Sequence, residues 1–240
     1  MSATRSFGLV LLGLGFTLGF RSAEAPESRA PSPCQAERFA ADPPLFGNCS
    51  VCHADAAADT GDGFFRLSGV PDIWSTGTTY RLAAELADPG QRLWGFRATA
   101  IDASGGDAGI LQPADAATAI CILDANHRTY IRSVERFPGV PGGQVRWEFD
   151  WTPPQSGTRR VFFYGAALAA DQDGTDRGDF TYTAATASVE AGAGPPPVSL
   201  ILQPDGVSVA GGSSLVIHAR VKNHSGASRA VTYTGRIGGP

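Results

Sequence analysis

The sequence predicts an all-β protein. Its main body is an antiparallel β-sandwich, preceded by a C-x-x-C-H segment and followed by a short second β unit. Three observations carry that reading. Apolar and polar residues alternate at period 2 in segment after segment, which marks strands with one face in a core. Gly, Pro and Asp clusters interrupt those segments about every ten residues, at the spacing of short strands in a sandwich. Helical periodicity is nearly absent.

Taken in order, the chain opens with Met1-Ser2-Ala3-Thr4-Arg5, an apolar run from Phe7 to Phe20, and Ala23-Glu24-Ala25 before Pro26. A charged start, an apolar centre and an A-x-A site read as a secretory signal peptide over 1–25. The run is short for a membrane span and no other stretch approaches spanning length, so no transmembrane anchor is expected. Residues 26–45, rich in Pro, Ala, Ser and Glu without periodicity, read as a disordered lead-in.

The sandwich is expected over 46–190. Tyr80, Leu82, Ala84 and Leu86 alternate with Arg81 and Glu85. Asp88-Pro89-Gly90 is turn chemistry, and Leu93 to Ile101 reads as the hairpin partner. Thr118–Leu123 and Thr129–Val134 are short strands. Val145, Trp147, Phe149 and Trp151 alternate with Arg146, Glu148 and Asp150 until Pro153-Pro154 ends the strand. Val161–Ala169 is apolar on both faces, as a central strand is, and Phe180, Tyr182 and Ala184 alternate in the last strand. Trp147, Trp151, Phe162 and Tyr164, at strand spacing, are expected in the core rather than on a sugar-binding platform. Ala191 to Pro197 is a Gly/Pro linker by composition. Residues 198–240 then read as about three strands, too few for an independent sandwich, so the unit docks on the first or belongs to something longer.

The chemistry concentrates in Gly47-Asn48-Cys49-Ser50-Val51-Cys52-His53. C-x-x-C-H is the spacing of haem c attachment. Both thiols add across the haem vinyl groups, and the adjacent histidine supplies an axial iron ligand. Cys49 and Cys52 are thus candidate thioether anchors and His53 the candidate proximal ligand. The competing reading is a Cys49–Cys52 disulfide, or pairing with Cys34 or Cys121, because exported cysteines tend to be oxidised. If Cys49 and Cys52 hold haem, Cys34 and Cys121 are left to pair with each other. Zinc needs further ligands at defined spacing, and none stand nearby.

Among the 240 residues, 19 are basic and 23 acidic, giving a net charge of −4. A mildly acidic, well-mixed surface argues against nucleic acid and anionic lipid as partners. Met1, the only methionine, lies in the signal peptide, so methionine is not expected on the iron. His218 falls on the outward face of its strand and His224 in a turn, both reading as surface residues. The loop Asp171-Gln172-Asp173-Gly174-Thr175-Asp176-Arg177-Gly178-Asp179 offers Asp171, Asp173, Asp176 and Asp179 as candidate Ca²⁺ ligands. Its glycine register is not that of an EF-hand, and a solvated turn is the simpler reading. No nucleophile elbow, phosphate-cradling glycine loop or recognisable carboxylate pair occurs, so no hydrolytic or transfer active site is expected.

The order of these features resembles the bacterial Reeler-like domain, also called the choice-of-anchor V domain. The matching stretches are Gly47 to His53, Leu67-Ser68-Gly69-Val70-Pro71, Thr79-Tyr80-Arg81-Leu82, Asp88-Pro89-Gly90-Gln91 and Trp94 to Asp102. They continue with Trp147 to Pro154, Phe162-Tyr164-Gly165-Ala166-Ala167 and Asp173-Gly174-Thr175-Asp176. The resemblance implies an exported Ig-like, Reeler-like β-sandwich with a C-x-x-C-H near its start, commonly joined to a surface anchor. It also implies a histidine just after Tyr130-Ile131 as a second iron ligand, where this chain has Arg132-Ser133. His127, in the preceding loop, is then the candidate distal ligand.

Two function classes follow. One is an exported, periplasmic or cell-surface single-haem electron carrier with a redox protein as partner. The other is a non-redox extracellular binding or adhesion module whose cysteines form structural disulfides.

Overall fold

The computed structural model describes residues 39–123, 128–134, 137–138, 143–155, 157–192, 198–204 and 217–223. After a 3-10 turn at Cys49–Val51 the chain forms β1 (Phe64–Ser68), β2 (Ile73–Trp74), β3 (Tyr80–Ala87), β4 (Leu93–Ile101) and β5 (Ile110–Pro113). It continues through β6 (Thr118–Leu123), β7 (Arg128–Ser133), β8 (Phe137–Pro138), β9 (Gln144–Thr152), β10 (Arg160–Ala170) and β11 (Phe180–Glu190). β12 (Val198–Pro204) and β13 (Ile217–Asn223) complete the described elements.

The strands form two main sheets. The smaller has the order β1-β3-β9-β5, and the larger β2-β11-β10-β4-β7-β6, with β8 also on β4. All pairings are antiparallel except the short β2–β11 contact. Among the described residues β12 and β13 pair with each other alone, from Val198↔Asn223 to Pro204↔Ile217.

Alternation decides what enters the core. Leu82, Ala84 and Leu86 of β3 and Trp147, Phe149 and Trp151 of β9 form one wall. Trp94, Phe96, Ala98 and Ala100 of β4 and Phe163, Ala167 and Ala169 of β10 form the other. The aromatic rings interlock, with Trp151 edge-on to Phe163 and Phe96 tilted against Trp147, each pair at 4.8 Å between centroids. Trp151 also donates its indole N–H to the Ala108 carbonyl at 2.9 Å, which satisfies its one polar atom. Gly109 fits beside it because its φ is +95° and a Cβ there would lie 2.3 Å from the Thr152 carbonyl oxygen.

Three expectations are corrected in detail. The segments at Tyr80 and Leu93 are not a hairpin: β3 pairs with β1 and β9, whereas β4 pairs with β10 and β7. The turn between them is an arch across the sandwich edge. Buried Asp88 accepts from the Gly90 amide at 3.0 Å and the Tyr182 hydroxyl at 2.5 Å, and Arg92 starts the next ladder by donating to Ala170. The lead-in differs at its end, where Ala40, Ala41 and Asp42 are fully buried. Finally, Phe162 and Tyr164 face away from Trp147 and Trp151, joining Ile101, Ala185 and Ala187 in a second apolar cluster.

That second cluster exists because the larger sheet is covered on its outer face as well. Asp42 ion-pairs with Arg128, the Tyr130 hydroxyl donates to Asp42 at 3.0 Å, and Arg128 donates to the Pro43 carbonyl at 2.8 Å. Ala40 packs with Tyr130 and Cys121. These contacts lay residues 39–53 over the sheet.

Replacing Trp151 with Ala removes the ring at the centre of the core and leaves the Ala108 carbonyl without its donor. The expected loss is about 3–5 kcal/mol of stability in urea unfolding. A loss under about 1 kcal/mol would mean that the core does not depend on this ring.

Candidate functional site

A closed loop delivers the cysteine motif to the sheet. Ala41 donates to the Gly47 carbonyl at 2.8 Å and Phe46 to Asp42 at 2.9 Å. Asn48, buried, then caps the 3-10 turn by accepting the Ser50 amide on its Oδ1 at 2.9 Å. The amides of Cys52 and His53 both donate to the Cys49 carbonyl, at 3.2 and 3.0 Å. In such a turn residues three apart share a side, so Cys49 and Cys52 are presented together.

Both thiols are free, Cys49 half-buried and Cys52 exposed. Burial pushes the Cys49 thiol up to about 11, with the Arg97 guanidinium pulling the other way. Cys121 is disulfide-bonded. Cys34 and His127 lie outside the described residues, as do the signal peptide and His224.

His53 is fixed from across the fold. Its Nδ1 lies 2.6 Å from Oδ2 of Asp179, whose side chain is 1 % exposed against 25 % for His53. The other Asp179 oxygen accepts the Asp171 amide at 3.1 Å. The loop closes tightly here because Gly178 has φ +74°, and a Cβ there would press on the Asp171 carboxylate at 2.9 Å. Asp55 accepts the Gly178 amide at 3.2 Å, and Gln91 donates to the Gly178 carbonyl at 3.1 Å. Beyond the motif, Asp59 donates its amide to the Thr181 carbonyl and accepts the Thr183 amide, each at 2.8 Å, stitching this segment to β11.

Beside His53 opens a cleft of about 720 Å³. Its floor is the outer face of the larger sheet, with Leu93 to Gly95 of β4 and Leu168 and Ala170 of β10. One wall is Arg132 to Val134, and another is the loop through Gln172, Gly174 and Thr175 to Asp179. The volume lies within the range of cofactor sites, and so does the mostly apolar lining with a few polar groups. Arg132 spends one nitrogen on the Ser133 and Val134 carbonyls, at 2.7 and 3.1 Å.

The fold thus joins three features separate in sequence: the C-x-x-C-H turn, Arg132 and the acidic loop. It does not gather the loop's carboxylates. Asp171 accepts the Asp173 amide, Asp173 accepts the Thr175 amide and hydroxyl, and Asp179 serves His53. The Thr175 bonds hold the Asp173 carboxyl below its ordinary range. Among the described residues, no group of three His, Cys, Asp or Glu side chains is gathered so that it could hold a metal ion. Asp179 as the partner of His53 has no sequence signal, since 126 positions separate them.

No family description and no curated protein matches the chain. Among solved structures, the fold is similar to the Reelin-N domain of F-spondin, at 19 % identity and a TM-score of 0.41, over 59 % of this chain and 96 % of that one. The human F-spondin reeler domain is similar at 18 % identity and 0.39, over 57 % and 95 %. A cohesin module from a Clostridium perfringens ATCC13124 family 33 glycoside hydrolase is similar at 8 % and 0.38, over 56 % and 98 %. Among the described residues no helix is long and apolar enough to cross a membrane.

The burial of Cys49 has a chemical signature. In full-length Cys52→Ser protein made without haem, alkylation of Cys49 should rise about tenfold per pH unit, without levelling, up to about pH 10. The reactive thiolate grows in that way while pH stays below a thiol value of about 11. A plateau near pH 9 would contradict this environment.

Proposed function

We propose that the chain is an exported, single-haem c-type electron carrier, with haem held covalently by Cys49 and Cys52 and ligated by His53. The observation that carries the reading is the state of the motif: two free thiols on one turn, next to a histidine whose Nδ1 is bonded to a carboxylate, at the mouth of an apolar cleft. With Nδ1 as donor, Nε2 is the nitrogen that keeps a lone pair for a metal.

These residues fit the group. Cys49 and Cys52 would hold it, His53 would ligate iron, and Leu93 and Leu168 would exclude water from its surface. Bound haem supplies one-electron chemistry at iron. The chain's own contribution is to fix His53 in one tautomer and one orientation, and to wall the site with the larger sheet. A signal peptide over 1–25 would bring the chain to an oxidising compartment, with a redox protein as partner. The sandwich at 46–190 would be the haem-bearing unit, and 198–240 an accessory β unit.

Two other readings are less well supported. A thiol–disulfide oxidoreductase wants a C-x-x-C at a helix N-terminus with a lowered thiol value, whereas Cys49 sits on a three-residue 3-10 turn with a raised one. The non-redox binding or adhesion module expects its cysteines in disulfides, which describes Cys121 but not the free pair.

The test is a pyridine haemochrome spectrum with intact mass, on protein exported by a host carrying haem c maturation machinery. The expected result is a c-type band and the added mass of one haem, both lost in Cys49→Ala/Cys52→Ala. A colourless protein whose mass differs only by the hydrogens of its disulfides would sink the reading.

A further inference from the structure

We infer that Asp179 is the positioning residue of the axial histidine and that its charge makes this site a low-potential carrier, one whose partner is an oxidant of higher potential; the inference rests on the haem reading above. Three observations on the acidic loop point there.

The contact is short and sheltered: Asp179 Oδ2 lies 2.6 Å from His53 Nδ1, and the carboxylate is 1 % exposed. Among the described residues, the ion-pair partner of Asp179 is His53, with no Lys or Arg beside it. A buried carboxylate is costly unless hydrogen-bonded or paired, so it holds the Nδ1 proton toward itself. The loop is also built to keep the carboxylate aimed. The Asp171 amide donates to its second oxygen, while Asp55 and Gln91 clamp the peptide of Gly178.

The consequence follows from ordinary imidazole chemistry. A carboxylate that accepts the Nδ1 hydrogen fixes the tautomer and raises the basicity of Nε2. A more basic axial nitrogen stabilises the oxidised metal over the reduced one, lowering the reduction potential. A neutral acceptor at the same place would orient the ring without that electronic push.

The first readout needs no change at Asp179. In full-length Cys49→Ser/Cys52→Ser protein made without haem, long-range 1H–15N spectra of His53 should show the Nδ1–H tautomer; an Nε2–H tautomer would overturn the proposal. In the haem-loaded full chain, Asp179→Asn should keep the haem and histidine ligation yet shift the midpoint potential upward. Asp179→Glu, which keeps the charge, should lie closer to wild type. An unchanged potential in Asp179→Asn with ligation intact would reduce Asp179 to a structural role. If Asp179→Asn fails to fold, the tautomer decides. Wild-type protein that emerges from the maturing host without haem overturns the electron-carrier reading and this inference with it, whatever the tautomer.

Discussion

The larger sheet is buried on both faces, and the rest of the structure depends on that constraint. Its inner face packs against the smaller sheet through a layer of tryptophan and phenylalanine rings. Its outer face is covered by residues 39–53, held by the buried Asp42–Arg128 ion pair and the Tyr130 hydroxyl. A buried ion pair adds little net stability, but removing one partner strands a charge, so it acts as a registration device. It decides where the lead-in lies, and hence where the cysteine turn that follows must land.

The site is assembled from that placement. The turn sets Cys49 and Cys52 over the sheet, and the 171–179 loop between β10 and β11 rises to meet His53 with Asp179. Arg132 reaches the same cleft from the end of β7. None of these elements forms a site alone. The cleft they enclose has apolar strand residues such as Leu93 and Leu168 in its floor and polar side chains such as Arg132, Gln172 and Thr175 in its walls.

Much of the fold was legible because burial imprints period 2 on a strand. Trp147, Phe149 and Trp151 are buried, while Arg146 is exposed and Glu148 and Asp150 are half-buried, as their alternation implied. The unbroken apolar run of β10 marks a strand covered on two sides, but it does not tell which cover lies on which face, and Phe162 and Tyr164 pack in a second cluster rather than with Trp147 and Trp151. β5 carries no such imprint, because only Leu111 of its residues is buried. The turn at Asp88-Pro89-Gly90 was recognisable, but turn residues do not say whether the chain returns to the same sheet or crosses to the other. Here the Tyr182 hydroxyl on Asp88 and the Arg92 amide on Ala170 belong to the crossing.

For the candidate site, the sequence by itself determined the chemistry on offer: two thiols and a histidine at a spacing that a single turn can present together. That information is local, since the spacing of three residues survives any global arrangement of the chain. Tertiary structure alone decided what surrounds them. The carboxylate on His53 is 126 residues away. Such a contact arises only when strand order brings two loops to one edge. Local pattern can name the reactive groups, but their environment is set by which distant strands become neighbours, and that depends on packing of the whole sandwich.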